Sequence, residues 1–373
     1  MDREKHKKIV VEIFDGIKTT RDIANIIFKI TGERVSWRTV ERYETELRSE
    51  GKITTRFEHR FNTTENKSNI KNYNEILAVL KSELKKTEPY PITITNTSKK
   101  GDTLNILISD WHIGKLIKDE YGNIVYNADK AKKQIEKFIQ ETLTLLDKYI
   151  SKGTPINDVV ILSAGDILDG LGIFSTQETL SEFAPPFQVL EAAQLVQKLI
   201  LSLTKRNLNV RFYGVKGNHG EVRIHGKAQD PNAHWDLMLY IMLDFWVKTS
   251  NLKHKIQINY SELDYINFNN RSWTYHLRHI APGQSETAGG KAKFLGWVKK
   301  HNCQVLAYGH LHHYGIWDRS GITVIRGGAL TAGDEFAEML AEESEPIQVI
   351  WGCNEKRPVT FIYPVDLGIR EKQ

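Results

Sequence analysis

The stretch "NLNVRFYGVKGNHG" (residues 207–220) decides the fold, because an apolar segment typical of a buried strand runs directly into a polar loop. That loop carries an amide and an imidazole, Asn218 and His219, between Gly217 and Gly220. Loops at strand ends are where protein scaffolds usually present functional side chains. Glycine and asparagine are also the ordinary residues of turns that need positive φ. The rest of the chain has to decide between a turn and a site.

Composition places the chain among ordinary globular proteins. It has 373 residues, a formal net charge of +5 and two cysteines, Cys303 and Cys353. This length predicts two domains, or one domain with an appendage. Two cysteines are too few for a disulfide framework, and no apolar stretch reaches the roughly 18 residues of a membrane span. We therefore expect a soluble cytoplasmic protein with no membrane partner, whose mild basic excess permits an acidic partner without requiring one.

Residues 1–57 predict a small helical domain of the helix-turn-helix type. Three segments within residues 4–54 have apolar side chains at helical spacing, and glycines end the second and third. The third segment, "SWRTVERYETELRSEGKI", resembles the recognition helix and following strand of winged helix-turn-helix domains. A helical bundle used for dimerisation or docking is the alternative. In the first interpretation, the face offered to DNA consists of Trp37, Arg38, Thr39 and Arg42.

The composition and the hydrophobic pattern of the chain change twice after residue 57. Residues 58–102 are polar and rich in asparagine, which predicts a linker that contains one short helix. From residue 103 to residue 373, apolar strands alternate with amphipathic helices. This pattern favours an α/β domain, α+β in some schemes, in which helices cover the sheet. Within it, "LDYINFNNRSWTYHLRH" alternates about Asn269 and Asn270, which predicts an antiparallel hairpin.

Potential metal ligands follow the strands of this second domain at the point where each strand ends. In such sheets, ligands gather at the carboxyl ends of the strands. Carboxylates, imidazoles and an amide oxygen without thiolates suit Mn, Fe, Zn or Mg rather than a structural zinc site. The candidates at these strand ends are Asp110, His112, Asp166, Asp169, Asn218, His219, His276, His279, His310, His312 and His313. Seven ligands with one bridging carboxylate fill two adjacent shells, an arrangement suited to in-line attack on phosphorus.

One ligand position has two candidates, because His276 and His279 both lie on the hairpin arm "YHLRHIAPG". Alternation along a strand puts these two side chains on opposite faces, so only one of them can reach the site. We choose His279, because it lies at the end of the strand, just before Pro282 and Gly283. A histidine such as His276 is ordinarily satisfied within the core or at the surface without a metal.

The series "DWH", "GDILD", "GNH", a lone histidine and "GHLH" resembles the five-block signature of calcineurin-like metallophosphoesterases, over residues 104–330. The resemblance implies a four-layer β-sandwich flanked by helices, and two divalent metal ions, manganese first and Fe, Zn or Mg as alternatives. One ion would be held by Asp110, His112, Asp166 and His312. The second would share Asp166 as a bridge and add Asn218, His279 and His310. A hydroxide between the ions would attack phosphorus, while His219, oriented by Asp169, would protonate the leaving oxygen.

The same resemblance carries one departure and one refinement. Many members of the family place an acidic residue directly after "GNH", whereas here Gly220 comes next and Glu221 one position later. The stretches "SDWHIGK" and "EKRPVTFIYPVDL" resemble the SbcD-like exonuclease branch and the phosphoesterases often encoded by bacteriophages. That branch implies an ATPase partner. Assembly of the chain into a homo-oligomer is a second expectation that the sequence leaves open.

The expected function combines the two domains. A phosphodiesterase that carries a DNA-binding module is most simply a DNA nuclease, either an exonuclease or an endonuclease. Arg223 and Lys227, just after the "GNH" loop, would line the nucleic-acid groove. One alternative is a phosphatase or cyclic-nucleotide phosphodiesterase that acts on other substrates. Another is a DNA-binding regulatory or structural protein whose metal domain serves as a scaffold.

Overall fold

The computed structural model describes residues 3–14, 20–50, 52–53, 101–119, 121–153, 155–173, 177–224, 227–228, 232–282, 287–331 and 345–368. The chain divides into two units, Met1–Tyr90 and Pro91–Gln373. The expected linker, with its short helix, lies outside the described residues except for its last two positions. Within the described part of the chain, no helix combines the length and the apolar character needed to cross a membrane.

The described part of the first unit contains three helices, α1 (Arg3–Ile13), α2 (Thr20–Thr31) and α3 (Trp37–Ser49). The hydroxyl of Ser36 accepts the backbone N–H of Thr39 at 3.1 Å, as expected of a residue that caps a helix N-terminus. The apolar stripes of the helices form one buried cluster that includes Val10, Ile23, Ile27, Val40, Tyr43 and Leu47. Because this stripe faces inward, Arg38 and Arg42 of α3 are exposed.

The second unit contains every strand found in the described residues: β1 (Asp102–Ile108), β2 (Ile117–Lys118), β3 (Ile124–Tyr126), β4 (Ile156–Ser163), β5 (Asn209–Gly214), β6 (Arg223–Ile224), β7 (Lys227–Ala228), β8 (Ile256–Tyr260), β9 (Tyr265–Asn270), β10 (Trp273–Arg278), β11 (Val305–Tyr308), β12 (Gly315–Arg319), β13 (Ile322–Arg326), β14 (Ile347–Cys353) and β15 (Phe361–Asp366). Its helices are α4 (Ala128–Ser151), α5 (Gln177–Leu180), α6 (Pro185–Thr204), α7 (Trp235–Thr249) and α8 (Ala288–His301).

These strands form two large mixed sheets. The first has the order β15-β14-β1-β4-β5-β8, and the second has the order β12-β13-β11-β10-β9. In the first sheet β1, β4, β5 and β8 are parallel, and β14 and β15 complete it in antiparallel pairing. In the second sheet β10, β11 and β13 are parallel, with antiparallel strands at both edges.

Side-chain alternation along the strands builds the layers between and outside these sheets. Leu104, Ile106 and Ile108 of β1 pack with buried residues of α4, α6 and α7 on one face of the first sheet. Leu107 points the other way, into a cluster shared with the second sheet. The outer face of the second sheet is covered by α8 through Phe294. The order of layers is therefore helix, sheet, sheet, helix, which confirms the mixed α/β class and the four-layer sandwich expected from the sequence.

The hairpin of the second sheet turns two residues later than the sequence pattern suggests. Asn269 and Asn270 lie within β9, and the turn falls at Arg271 and Ser272, where Arg271 has φ 56°. The physical reason is that Asn270 is fully buried and donates its side-chain amide to Asn105 Oδ1 at 2.7 Å. An asparagine that typically marks a turn is here a hydrogen-bonding residue of the core.

Candidate active site

The loop that leaves β1 presents Asp110 and His112 and is tied to the loop that leaves β4. The backbone N–H of Asp110 donates to Gly165 O, and that of His112 donates to Asp166 O, both at 3.1 Å. Asp110, His112 and Asp166 have φ of 54°, 46° and 52°, a left-handed conformation that is costly for residues with a side chain. The cross-loop hydrogen bonds therefore hold these three residues in turns that they would not adopt alone.

The loop that follows β5 explains the glycine that precedes Asn218. A Cβ atom on Gly217 would lie 2.0 Å from Asp166 Oδ1, so only glycine allows the two loops to approach this closely. The backbone of Gly217 is not in the left-handed region, so the turn interpretation does not account for it. The backbone N–H of His219 then donates to Asp166 Oδ1 at 2.7 Å. The stretch after β5 is thus shaped by its contact with Asp166.

His279 follows β10 and closes the site from the second sheet. Its Nδ1 donates to the backbone carbonyl of Ala164 at 2.7 Å, so the lone pair of the neutral ring lies on Nε2. Nε2 lies 2.9 Å from Asp166 Oδ2 and 2.8 Å from Asn218 Oδ1. Three electron-rich atoms therefore meet at one point, which suits a cation placed between them.

The loop after β11 brings in the last two histidines. His312 Nε2 lies 3.1 Å from His112 Nε2 and 3.6 Å from Asp110 Oδ1. The backbone N–H of His310 donates to Asp110 Oδ2 at 3.0 Å, and a Cβ on Gly309 would lie 2.7 Å from the same oxygen. His310 and His312 have φ of 77° and 61°. Together with Asp110, His112 and Asp166, five of the expected ligands therefore have a left-handed backbone.

The structure brings all seven expected ligands together. Three groups have potential ligand atoms within 4.8 Å of one another: Asp110 with His112 and His312, His112 with Asp166 and His219, and Asp166 with His279 and His310. Asn218 joins through its contact with His279. Asp166 belongs to two of these groups, the position expected of a carboxylate that bridges two ions.

The electrostatics of the cluster also fit divalent cations. Burial, together with the neighbouring His219, lowers the pKa of His112 to about 4, so the imidazole is neutral and able to ligate. Burial raises the pKa of Asp110 to about 7, because the charged form loses its hydration. Burial opposes protonation of His279, but the Asp166 carboxylate prevails and raises its pKa to about 9. A bound cation would take the place of the proton on His279 Nε2.

Two side chains contact the ring of His219, the carboxylate of Asp169 and the amide of Gln177. Its Nδ1 lies 3.2 Å from Asp169 Oδ1, and the same oxygen lies 3.5 Å from His112 Nδ1. Burial opposes ionisation of Asp169, but these two imidazoles prevail and lower its pKa to about 2. Gln177 of α5 donates from Nε2 to Asp169 O at 2.5 Å and accepts the Ile173 N–H at 2.8 Å, which fixes the loop that carries Asp169.

His276 lies elsewhere, within β10 and fully buried on the side of α8. Its ring stacks on Tyr265 at 4.9 Å between centroids and contacts Trp297 edge-on at 4.6 Å. Its Nδ1 lies 2.6 Å from Asn267 Oδ1. The structure thus separates the two histidines of the hairpin arm and brings only His279 to Asp166.

The residues predicted to contact nucleic acid lie in both units. Arg38, Thr39 and Arg42 follow Trp37 along α3. Arg223 is exposed in β6, and Lys227 begins β7, which pairs with β6. Glu221, the displaced acidic neighbour of the "GNH" loop, accepts from Arg223 Nε at 2.7 Å. The carboxylate beside His219 is therefore that of Asp169 and not that of Glu221.

Comparison with known proteins identifies the family. The model of the calcineurin-like phosphoesterase family matches residues 106–314. The chain belongs to this family. Membership makes it a phosphoesterase, an enzyme of a family that uses divalent metal ions. Among curated proteins, none matches the sequence significantly.

Several solved structures are similar to this chain at low sequence identity. An archaeal phosphodiesterase is 14% identical over 70% of this chain and 99% of its own, with a TM-score of 0.33. Vps29 from Entamoeba histolytica, solved with zinc, is 12% identical over 71% and 99%, with a TM-score of 0.31. Vacuolar protein sorting 29 from Cryptosporidium parvum is 13% identical over 72% and 100%, with a TM-score of 0.32. Likeness of this size says nothing about the substrate of the phosphoesterase.

Sequence reasoning missed the buried carboxylate that supports the catalytic loops of the phosphoesterase. Asp236, in the first turn of α7, is fully buried, and its Oδ2 accepts the backbone N–H groups of Asp166 at 3.1 Å and Gly217 at 2.9 Å. His234 adds a contact of 3.0 Å from Nε2 to Gly217 O. An aspartate in a first helical turn ordinarily serves the helix itself, so the sequence holds no separate signal for this role.

A second missed residue supports the loop after β1. Gln348 of β14 is fully buried, and its Oε1 accepts Ser109 N at 3.1 Å and Trp111 Nε1 at 3.3 Å. Its Nε2 donates to Gly328 O at 2.7 Å. The only available signal is a lone amide in the apolar strand "IQVIW", and that signal does not identify its partners.

Replacing Asp236 tests how the phosphoesterase holds Asp166 in place. Asp236→Ala removes the acceptor of two buried N–H groups, so we expect a loss of about 2–4 kcal/mol in the free energy of unfolding. Displacement of Asp166 should also lower kcat for a small phosphodiester by about 100-fold. Asp236→Asn keeps an acceptor oxygen and should retain most of both properties. Urea unfolding and steady-state hydrolysis measure the two effects.

The matched control is Asp244→Ala on the same helix, which removes only a pair with Lys248 at 2.6 Å. That change should cost less than about 1 kcal/mol and leave hydrolysis unchanged. Equal effects of the Asp236→Ala and Asp244→Ala variants would contradict a supporting role for Asp236.

Proposed function

We propose that the phosphoesterase is a DNA nuclease that uses two divalent ions, manganese first, to hydrolyse phosphodiesters. The observation that carries the proposal is the convergence of seven potential ligands around Asp166 beside His219 and its carboxylate partner Asp169. The helical unit at the N-terminus, with two exposed arginines one turn apart on α3, supports DNA as the substrate.

The ligand groups suggest how two ions would be held. We assign one ion to Asp110, His112, Asp166 and His312, and the other to Asp166, Asn218, His279 and His310. When bound, divalent ions supply the Lewis acidity that polarises a phosphodiester and activates water. The protein contributes a rigid set of ligands, because the strained loops that carry them are tied to each other by backbone hydrogen bonds.

We assign His219 as the general acid of the reaction. Asp169 Oδ1, at 3.2 Å from Nδ1, holds the ring and leaves Nε2 as the nitrogen that would give a proton to the leaving oxygen. Burial opposes protonation of His219, but the carboxylates of Asp166 and Asp169 prevail and raise its pKa above the usual value. This shift favours the protonated ring that a general acid needs.

The DNA assignment draws on both units. On α3, Arg38 and Arg42 are exposed and Thr39 is half-buried, a combination suited to phosphate and base-edge contacts in a helix-turn-helix domain. In the second unit, β6 and β7 follow the catalytic loop in sequence and carry Arg223 and Lys227. We propose that these two residues contact the DNA backbone near the scissile bond.

Metal binding should stabilise the phosphoesterase through the proposed ligands. Adding Mn²⁺ at about 100 times its Kd to chelator-treated protein should contribute about 2.7 kcal/mol and raise the midpoint of thermal unfolding by several degrees. His279→Ala should remove most of this rise, because it deletes a ligand of one ion. Differential scanning calorimetry with and without Mn²⁺ measures the shift.

His276→Ala is the control for that experiment, because His276 is an equally buried histidine of the same hairpin arm. This variant should unfold at a lower temperature but keep the full rise with Mn²⁺. A rise that survives in the His279→Ala protein and disappears in the His276→Ala protein would reverse the ligand assignment.

Hydrolysis assays test the role of His219 and the substrate together. His219→Ala should lower kcat for a small chromogenic phosphodiester by about 100- to 10,000-fold and keep the Mn²⁺-dependent thermal shift. His254→Ala, an exposed histidine in the turn before β8, is the control and should be fully active. Single- and double-stranded DNA are assayed beside the small diester, under Mn²⁺ and then Mg²⁺. Hydrolysis of the small diester without cleavage of DNA would overturn the nuclease assignment and leave the metal centre in place.

DNA affinity tests the helical unit. Arg38→Ala combined with Arg42→Ala should weaken DNA binding and reduce the slope of log K against log salt concentration by about 2, one per lost phosphate contact. Lys8→Ala combined with Lys29→Ala removes the same charge from exposed positions of α1 and α2 and should change both quantities less. Fluorescence anisotropy at several salt concentrations gives both. An unchanged slope in the arginine double variant would contradict DNA binding by α3 and would favour a role of the helical unit in docking to another protein.

A further inference from the structure

A groove of about 350 Å³ lies on the outer face of the second sheet, beside α8. Its floor is apolar and includes Phe294 of α8 and Tyr308 of β11, both buried. Its other lining includes Trp317, Arg319 and Arg326, from β12 and β13. This volume is within the range of small-ligand sites, which begin at about 300 Å³.

One end of the groove is built from the loop that carries two of the proposed metal ligands. Leu311 lines the groove, and its chain neighbours are His310 and His312. Arg326 donates from Nε to His313 O at 2.5 Å, which ties the side of the groove to the same loop. The groove therefore shares the loop after β11 with His310 and His312.

The polar groups of the groove are cations that lie against aromatic rings. The guanidinium of Arg319 lies 4.7 Å from the ring centroid of Phe294, and that of Arg326 lies 5.3 Å from the ring of Trp317. Trp317 and Tyr308 meet edge to face, with centroids 6.3 Å apart. Among the described lining residues, none is acidic. Aromatic faces stack on nucleobases, and guanidinium groups pair with phosphates.

We propose that this groove binds the nucleotide next to the scissile phosphodiester in a single-stranded substrate. The inference rests on the proposed nuclease function and adds a substrate class to it, since a base must be unstacked to enter the groove. Two arginines beside aromatic rings match a phosphate-bearing ligand better than an apolar peptide. Trp317 is the stacking residue, and Arg319 contacts the flanking phosphate.

Steady-state cleavage of a short thymidylate oligonucleotide under Mn²⁺, beside a small phosphodiester, tests the groove. Trp317→Ala and Arg319→Ala should each raise KM for the oligonucleotide about 10-fold, the size expected for one lost stacking or phosphate contact, with kcat within about 2-fold. KM and kcat for the small diester should not change, because that substrate has no neighbouring nucleotide. Arg319→Lys should give an intermediate KM, since it keeps the charge and loses the planar fork.

Two controls lie on the far side of the sandwich. Phe245→Ala removes an exposed aromatic ring from α7, and Arg206→Ala removes a charge paired with Asp147 after α6. Neither should change KM for the oligonucleotide. Because Trp317 packs beside Tyr308, the Arg319→Ala protein serves as the second variant if the Trp317→Ala protein unfolds.

The outcomes separate the groove from the nuclease assignment. If the wild type cleaves the oligonucleotide and both groove variants keep its KM, the groove is not a nucleotide site, although the nuclease function stands. If the variants lose activity equally on the small diester, they disturb the metal centre, and the subsite is also overturned. If the wild type hydrolyses the small diester but not the oligonucleotide, both proposals fail together. A KM that rises only for the oligonucleotide supports the subsite.

Discussion

The catalytic centre depends on how one buried carboxylate, that of Asp166, is held. Its backbone N–H donates to Asp236, its carbonyl accepts the N–H of His112, and its two carboxylate oxygens meet His219 N and His279 Nε2. These contacts come from the loops after β1, β5 and β10 and from the first turn of α7. A residue held on every side in a left-handed conformation is fixed by tertiary structure rather than by local preference.

The two sheets make this arrangement rigid enough to be useful. Backbone strain at five of the proposed ligands costs about 1–3 kcal/mol each and persists only where the surrounding fold over-determines it. Here the surroundings are a close-packed core between the sheets and hydrogen bonds from Gln348 to the loop after β1. The cluster of buried polar groups is itself costly without a cation, since Asp110 then has a pKa of about 7 and His279 one of about 9. Scaffold and ligand set together therefore favour metal binding over an empty, proton-filled centre.

How much of this could be predicted from the sequence depends on whether a feature is local. Strand ends followed by Asp110, Asp166 and Asn218 are visible because apolar runs end abruptly at polar residues, and the layered fold follows from the same pattern. The roles of Asp236 and Gln348 are not predictable from local sequence, because the groups that they contact at the site lie more than 18 positions away along the chain. The sequence pattern suggests the wrong position for the hairpin turn for a related reason. Asn270 donates a hydrogen bond to Asn105 across the sandwich, and the local sequence does not predict such a partner.

The groove beside α8 shows why substrate choice is harder to infer than chemistry. Metal ions at the proposed ligands would engage only the phosphoryl group, which is common to every phosphodiester, so they would not by themselves distinguish one substrate from another. Contacts made outside the reacting atoms, such as those proposed for Trp317 and Arg319, are equally strong in the ground state and the transition state. They therefore act on KM rather than kcat and contribute selectivity between substrates of equal reactivity. The residues at the strand ends therefore determine the class of reaction, and the residues on the surrounding surface determine the class of substrate.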